Sequence, residues 1–117
     1  MSKMNNCIDY IEFPAKDSRD LHKMRDFFTR VFGWNYTMYG NDYADTADSG
    51  VSSGVNAENP SLAPLTVVYV TDLRQTYEKV KAIGAVITRE IFEFPGGKRF
   101  HFQDPTGNEL AVWSDKQ

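Results

Sequence analysis

At 117 residues the chain has room for one domain, or for two very small modules sharing a core, and is too short for a TIM barrel or for a dinucleotide-binding fold with a separate substrate domain. Hydrophobic residues at 41% and aromatics at 14% can fill a core, which argues against disorder, and a net charge of −3 with no Lys/Arg run argues against a nucleic-acid partner. Cys7 is the single cysteine, no Cys/His spacing suggests zinc, and neither an apolar leader nor a bilayer-length apolar run is present, so the expectation is a cytoplasmic chain with no membrane partner.

Ile8–Phe13 is rich in aromatic and β-branched residues and reads as a strand that Pro14 closes. Asp17 stands where a helix N-cap belongs, with Asp20 in the first turn. Leu21, Met24, Phe28 and Val31 then recur at helical spacing, Phe27 and Phe32 widen that stripe, and Gly33 ends it. Short strands are expected over Trp34–Tyr39, Tyr43–Ala47 and Val51–Val55, parted by turn residues at Gly40-Asn41 and Asp48-Ser49-Gly50. Residues 57–63, with Pro60, read as a linker. The order then repeats. Leu65–Val70 is an apolar strand, and Thr71-Asp72 caps a helix whose buried stripe is Leu73, Tyr77, Val80 and Ile83 and which Gly84 stops. Val86–Thr88 reads as a short strand, followed by irregular chain over 90–97 with a flexible turn at Pro95-Gly96-Gly97. Lys98–Gln103 and Glu109–Trp113 are strands joined by the loop Asp104-Pro105-Thr106-Gly107-Asn108.

The result is a tandem βαβββ order in one α+β domain, with a first module over about 7–56, a linker over about 57–63 and a second module over about 64–114. The two helix caps, Asp17 and Asp72, lie 55 residues apart. One sheet face in each half is covered by its helix, and period-two alternation says which residues take the other. Phe100, Phe102, Leu110 and Val112 turn to the helix; Arg99, His101, Gln103, Glu109, Ala111 and Trp113 turn away from it. In the first strand Ile11 and Phe13 take the helix side and Ile8, Tyr10 and Glu12 the open side, with Thr66 the polar member expected from the central strand. Tyr10, Glu12, Thr66, Arg99, His101, Glu109 and Trp113 are therefore the candidate ligand-binding residues, and His101 with Glu109 the candidate catalytic pair. His22 reads as a solvated surface histidine.

The stretches IDYIEFPAKDSRDLHKMRDFFTRVFGW, LTVVYVTDL and FPGGKRFHFQDPTGNELAVW resemble the vicinal oxygen chelate superfamily, the group of glyoxalase I, bleomycin-resistance proteins and extradiol dioxygenases. The resemblance spans nearly the whole chain. It implies paired βαβββ modules forming a cup-shaped mixed sheet with helices on the outer face, enclosing a small ligand in a homodimer.

In metal-binding members, the resemblance places ligands at positions filled here by Tyr10, Thr66, Ala111 and the acid-free run Gly50–Val55. Alanine has no donor atom, and a phenol and a threonine are poor replacements. The expectation is a protein with no metal cofactor that binds a small, anionic or aromatic molecule, with Tyr10 and Trp113 as stacking faces and Arg99 as a charge clamp. The alternative is a lyase or isomerase working through His101 and Glu109, or through a divalent metal displaced onto Glu12, His101 and Glu109.

Overall fold

The structure, a computed structural model, describes residues 3–116. Its elements run β1 (Cys7–Pro14), α1 (Ser18–Phe32), β2 (Thr37–Tyr39), β3 (Tyr43–Thr46), β4 (Ser52–Asn56), β5 (Leu65–Tyr69), α2 (Leu73–Ala82), β6 (Ile87–Phe94), β7 (Gly97–Gln103) and β8 (Glu109–Ser114). This is the tandem βαβββ order of an α+β fold. Two compact units divide the chain, one made of residues 10–65 and the other of residues 66–116 together with 3–9.

In the 10–65 unit the strands lie in the order β2-β3-β4-β1, with β1 parallel to β4 and the other pairs antiparallel. The Asp17 carboxylate accepts from the Asp20 N–H at 2.9 Å to start α1, and Gly33 ends it at φ 76°, a left-handed conformation that costs glycine little. Leu21 of α1 is fully buried with Ala15, Ala44 and Val55, and Phe13 and Met24 pack against them. The apolar stripe of α1 is narrower than its sequence suggests. Phe27, Val31 and Phe32 are exposed: α1 meets the sheet along Leu21, Met24 and Phe28, whose ring packs on Phe13 of β1 and also against Phe32 and Trp34. Residues 34–36 are irregular, and β2 begins only at Thr37.

The other unit repeats the plan as β5-β8-β7-β6, with β5 parallel to β8. The Asp72 carboxylate accepts from the Gln75 N–H at 3.0 Å, and α2 lays Leu73 and Tyr77 on Val70, Phe100 and Val112. Tyr77 meets Phe100 edge-on at 5.2 Å, and its hydroxyl donates to the Glu90 carboxylate. Residues 3–9 belong here. The Asn6 N–H donates to the Tyr69 carbonyl at 2.8 Å, and the Asn5 side chain accepts from the Thr71 N–H at 2.8 Å. Two expectations are overturned. Ile83 caps the end of α2 and is 84% exposed, so it lies outside the buried stripe. The segment expected to be irregular is instead the long strand β6, which carries two bulges and joins β7 through a two-residue turn at Pro95-Gly96.

Phe100 is fully buried and Ile83 nearly fully exposed, so truncation separates them. Phe100→Ala is expected to cost about 3–5 kcal/mol in a urea unfolding titration, and Ile83→Ala no more than about 0.5 kcal/mol.

Candidate functional site

In each unit the strands have one face packed on the helix, and the polar chemistry lies on the other face. In the 10–65 unit Tyr10 and Glu12 stand on β1 opposite Ser52 and Gly54 of β4, away from Phe13 and the α1 core. Glu12 is 2% exposed. Its carboxylate accepts from the Tyr43 hydroxyl at 2.8 Å and from the Asn56 amide at 3.1 Å, and the Tyr10 and Tyr43 hydroxyls hydrogen-bond at 2.7 Å. Asn56 is fixed in turn, because its Oδ1 accepts the N–H groups of Glu58 and Asn59 at 2.9 and 3.1 Å. Gly54 makes the arrangement sterically feasible: a Cβ there would fall 2.0 Å from the Tyr10 hydroxyl and 2.8 Å from that of Tyr43. Burial, and next the Glu12 charge, push the Tyr43 phenol well above its ordinary value, so it stays a protonated donor.

In the other unit the β7–β8 register sets His101 opposite Ala111 and Arg99 opposite Trp113. His101 is 5% exposed. Its Nδ1 lies 3.0 Å from Glu109 Oε2, which also accepts from the Thr88 hydroxyl at 3.0 Å. A carboxylate accepts hydrogen bonds, so Nδ1 carries the proton and Nε2 presents a lone pair. That Nε2 is buried and has no hydrogen-bond partner among the described residues. Burial lowers the His101 pKa, the Arg99 and Arg89 guanidiniums lower it further, and the Glu109 hydrogen bond opposes them. Phe92 lies 5.9 Å from the imidazole, with the Arg89 guanidinium 3.7 Å and the Arg99 guanidinium 5.4 Å from its ring centre.

Trp113 serves its own unit. Its indole N–H donates to Asp9 at 3.0 Å, its ring meets Tyr69 at 5.2 Å, and Lys3 stands 5.6 Å over it. Thr66 is on the wrong face: it pairs with Leu110 and shares the side of Val68, which packs on the α2 core. Strand alternation therefore turns Val67, opposite Ala111, and Leu65 to the face that Thr66 was expected to occupy.

A metal of the kind that the family resemblance implies does not fit these positions. Ala111, Leu65 and Val67 offer no donor atom, the Tyr10 phenol is bonded to Tyr43, and Gly54 lies beneath both hydroxyls. Among the described residues no group of three or more His, Cys, Asp or Glu is arranged to hold a metal ion, the displaced set included.

Tyr43, Asn56, Thr88, Arg89 and Phe92 were missed from the sequence. Tyr43 and Asn56 sit on β3 and β4 facing Glu12, which strand alternation could have found. Arg89 and Phe92 come to one face only through a bulge, which alternation cannot find.

Comparison with known proteins agrees with this architecture. The family model described as Glyoxalase/Bleomycin resistance protein/Dioxygenase superfamily matches residues 18–112. No match was found among curated proteins. Among solved structures, the Mn(II)-bound glyoxalase from Novosphingobium aromaticivorans is similar over 98% of this chain and 40% of its own, at 20% identity and a TM-score of 0.68. A glyoxalase/bleomycin resistance protein/dioxygenase superfamily member from Vibrio splendidus 12B01 is similar over 90% and 96%, at 18% identity and 0.67. Methylmalonyl-CoA epimerase from Mycobacterium tuberculosis is similar over 97% and 91%, at 12% identity and 0.66. These likenesses carry the fold.

The lowered His101 pKa fixes a sign. The unfolded chain takes up the proton first, near the ordinary value of 6.5, so the native state loses stability as pH falls below that value toward the lowered one. Melting temperature measured from pH 7.5 to 5 is expected to fall more steeply for the unaltered protein than for His101→Gln, with Arg89, Arg99 and Glu109 left in place.

Proposed function

Because the chain belongs to the glyoxalase/bleomycin resistance protein/dioxygenase superfamily, we propose that it binds a small acidic molecule, partly aromatic in character, without a metal ion, at the sheet face that carries Arg99, His101 and Glu109. The observation that carries this reading is His101: an imidazole oriented through Nδ1 by Glu109, with a buried Nε2 that has no hydrogen-bond partner among the described residues. A buried polar atom without a partner costs free energy that a ligand donor recovers. Arg99 supplies a planar, permanently charged fork beside it, suited to a carboxylate. Phe92 gives the ligand an apolar wall. Metal independence is supported by the donor-free side chains of Ala111, Leu65 and Val67. The assembly that the family resemblance implies is a homodimer, and we take it as the working form.

A second reading, proton transfer in a lyase or isomerase, is favoured by the same His101–Glu109 bond. Nε2 would take a proton from a carbon next to the acid group, and Glu109 would stabilise the imidazolium until the proton returned. Its mark would be exchange of that carbon-bound proton in D2O, abolished by His101→Gln.

Thermal-shift titration with a panel of aliphatic and aromatic carboxylates tests the first reading. Binding to the native state alone must raise the melting temperature. At least one carboxylate is expected to do so, and Arg99→Gln to weaken it by about 1.5–3 kcal/mol, the scale of a charge-assisted hydrogen bond. No rise with any carboxylate refutes the reading. Mn(II), Ni(II) and Zn(II) are expected to leave the melting temperature unchanged, and a saturable rise with any of them refutes metal independence.

A further inference from the structure

β6 is a long strand whose pairing with β7 slips twice. Arg89 pairs with His101 and Phe92 with Arg99, so three residues of β6 span two of β7. Simple alternation would place Arg89 and Phe92 on opposite faces; the bulge puts them on one, beside His101. The Arg89 guanidinium lies 3.7 Å from the centre of the Phe92 ring. A guanidinium stacked on an aromatic face keeps its N–H donors in the plane parallel to the ring, so the stack leaves its edge available for a carboxylate. The same ring lies 5.9 Å from the His101 imidazole, so the cation and the unpartnered Nε2 belong to one cluster.

We propose that Arg89 is a ligand-recognition residue, and that the ligand is a hydroxy acid whose carboxylate takes the in-plane donors of Arg89 while its neighbouring hydroxyl donates to His101 Nε2. This deepens, and rests on, the acidic-ligand reading above. Two complementary demands define the class. Arg89 donates and cannot accept, and its charge favours an oxyanion over a neutral acceptor. Nε2 accepts only a donor, since Glu109 holds the ring proton on Nδ1. A simple carboxylate meets one demand and a simple alcohol the other. An acid with a hydroxyl on the adjacent carbon meets both within the span of two side chains that touch one ring. Burial first, and the Arg99 and Arg89 charges after it, favour the neutral, accepting imidazole.

The test uses two probes that differ only in that hydroxyl, 3-phenyllactate and 3-phenylpropionate, titrated calorimetrically at pH 7.5 into the full chain and its Arg89→Gln, Arg89→Lys and His101→Phe variants, each first shown to melt cooperatively. The unaltered protein is expected to bind 3-phenyllactate about fivefold tighter, the worth of one neutral hydrogen bond. Arg89→Gln is expected to weaken both probes about tenfold or more while keeping that ratio, and Arg89→Lys to fall between, because a point charge replaces a fork. His101→Phe is expected to erase the ratio. A merely structural arginine would not divide the effects in this way. Unchanged binding by Arg89→Gln, with loss in Arg99→Gln, overturns the role of Arg89 and leaves the acidic-ligand reading standing. Failure of both probes to bind at millimolar concentration, while other carboxylates raise the melting temperature, overturns the hydroxy-acid class alone. Failure of every carboxylate removes the reading beneath it as well.

Discussion

A carboxylate buried in a sheet is the constraint around which the 10–65 unit is arranged. Glu12 is almost inaccessible, and a charge taken out of water costs several kcal/mol unless its lone pairs are met. Tyr43 and Asn56 meet them from β3 and β4. Tyr43 must cross β4 to do so, and Gly54 is the residue that lets it pass. Asn56 must present its amide rather than its oxygen, and the N–H groups of Glu58 and Asn59 enforce that by occupying the oxygen. One acid therefore fixes a strand residue, a glycine and a loop conformation, and leaves the Tyr10 phenol bonded within the same network.

The other unit treats its buried titratable group differently. His101 is tied at one nitrogen, and the other is buried without a hydrogen-bond partner among the described residues. A network whose members all have partners specifies a structure; an imidazole with one partnered nitrogen and one bare lone pair specifies a contact still to be made. The two units share a fold plan and a strand order, yet both oxygens of the Glu12 carboxylate accept hydrogen bonds while the His101 imidazole is hydrogen-bonded at Nδ1 alone among the described residues.

Much of this was legible in the sequence. Helix caps at Asp17 and Asp72 and the stop at Gly33 are local chemistry, set by side-chain oxygens and one left-handed residue, and they fall where expected. Alternation assigned Arg99, His101 and Glu109 against Phe100, Phe102 and Val112 correctly, because β7 and β8 pair without a slip. It failed at Thr66, where a strand apolar on both faces gives no phase to read, and over 90–97, where two bulges destroy the period on which strand reading depends. Phe27, Val31 and Phe32 misled for another reason: an aromatic at helical spacing says that a stripe exists, and not how wide the surface beneath it is.

The bulges that hid β6 from the sequence also give His101 its setting. With unbroken pairing, Arg89 and Phe92 would lie on opposite faces, and Arg99 of β7 would remain beside the imidazole with Glu109. A carboxylate partner raises the basicity of a histidine, and cations beside it lower it. Burial and the two guanidiniums outweigh Glu109 and keep it neutral, so the lone pair on Nε2 persists where an imidazolium would present a second N–H. The two slips thus bring Arg89 to the face of His101, where its charge joins burial and Arg99 in lowering the imidazole pKa.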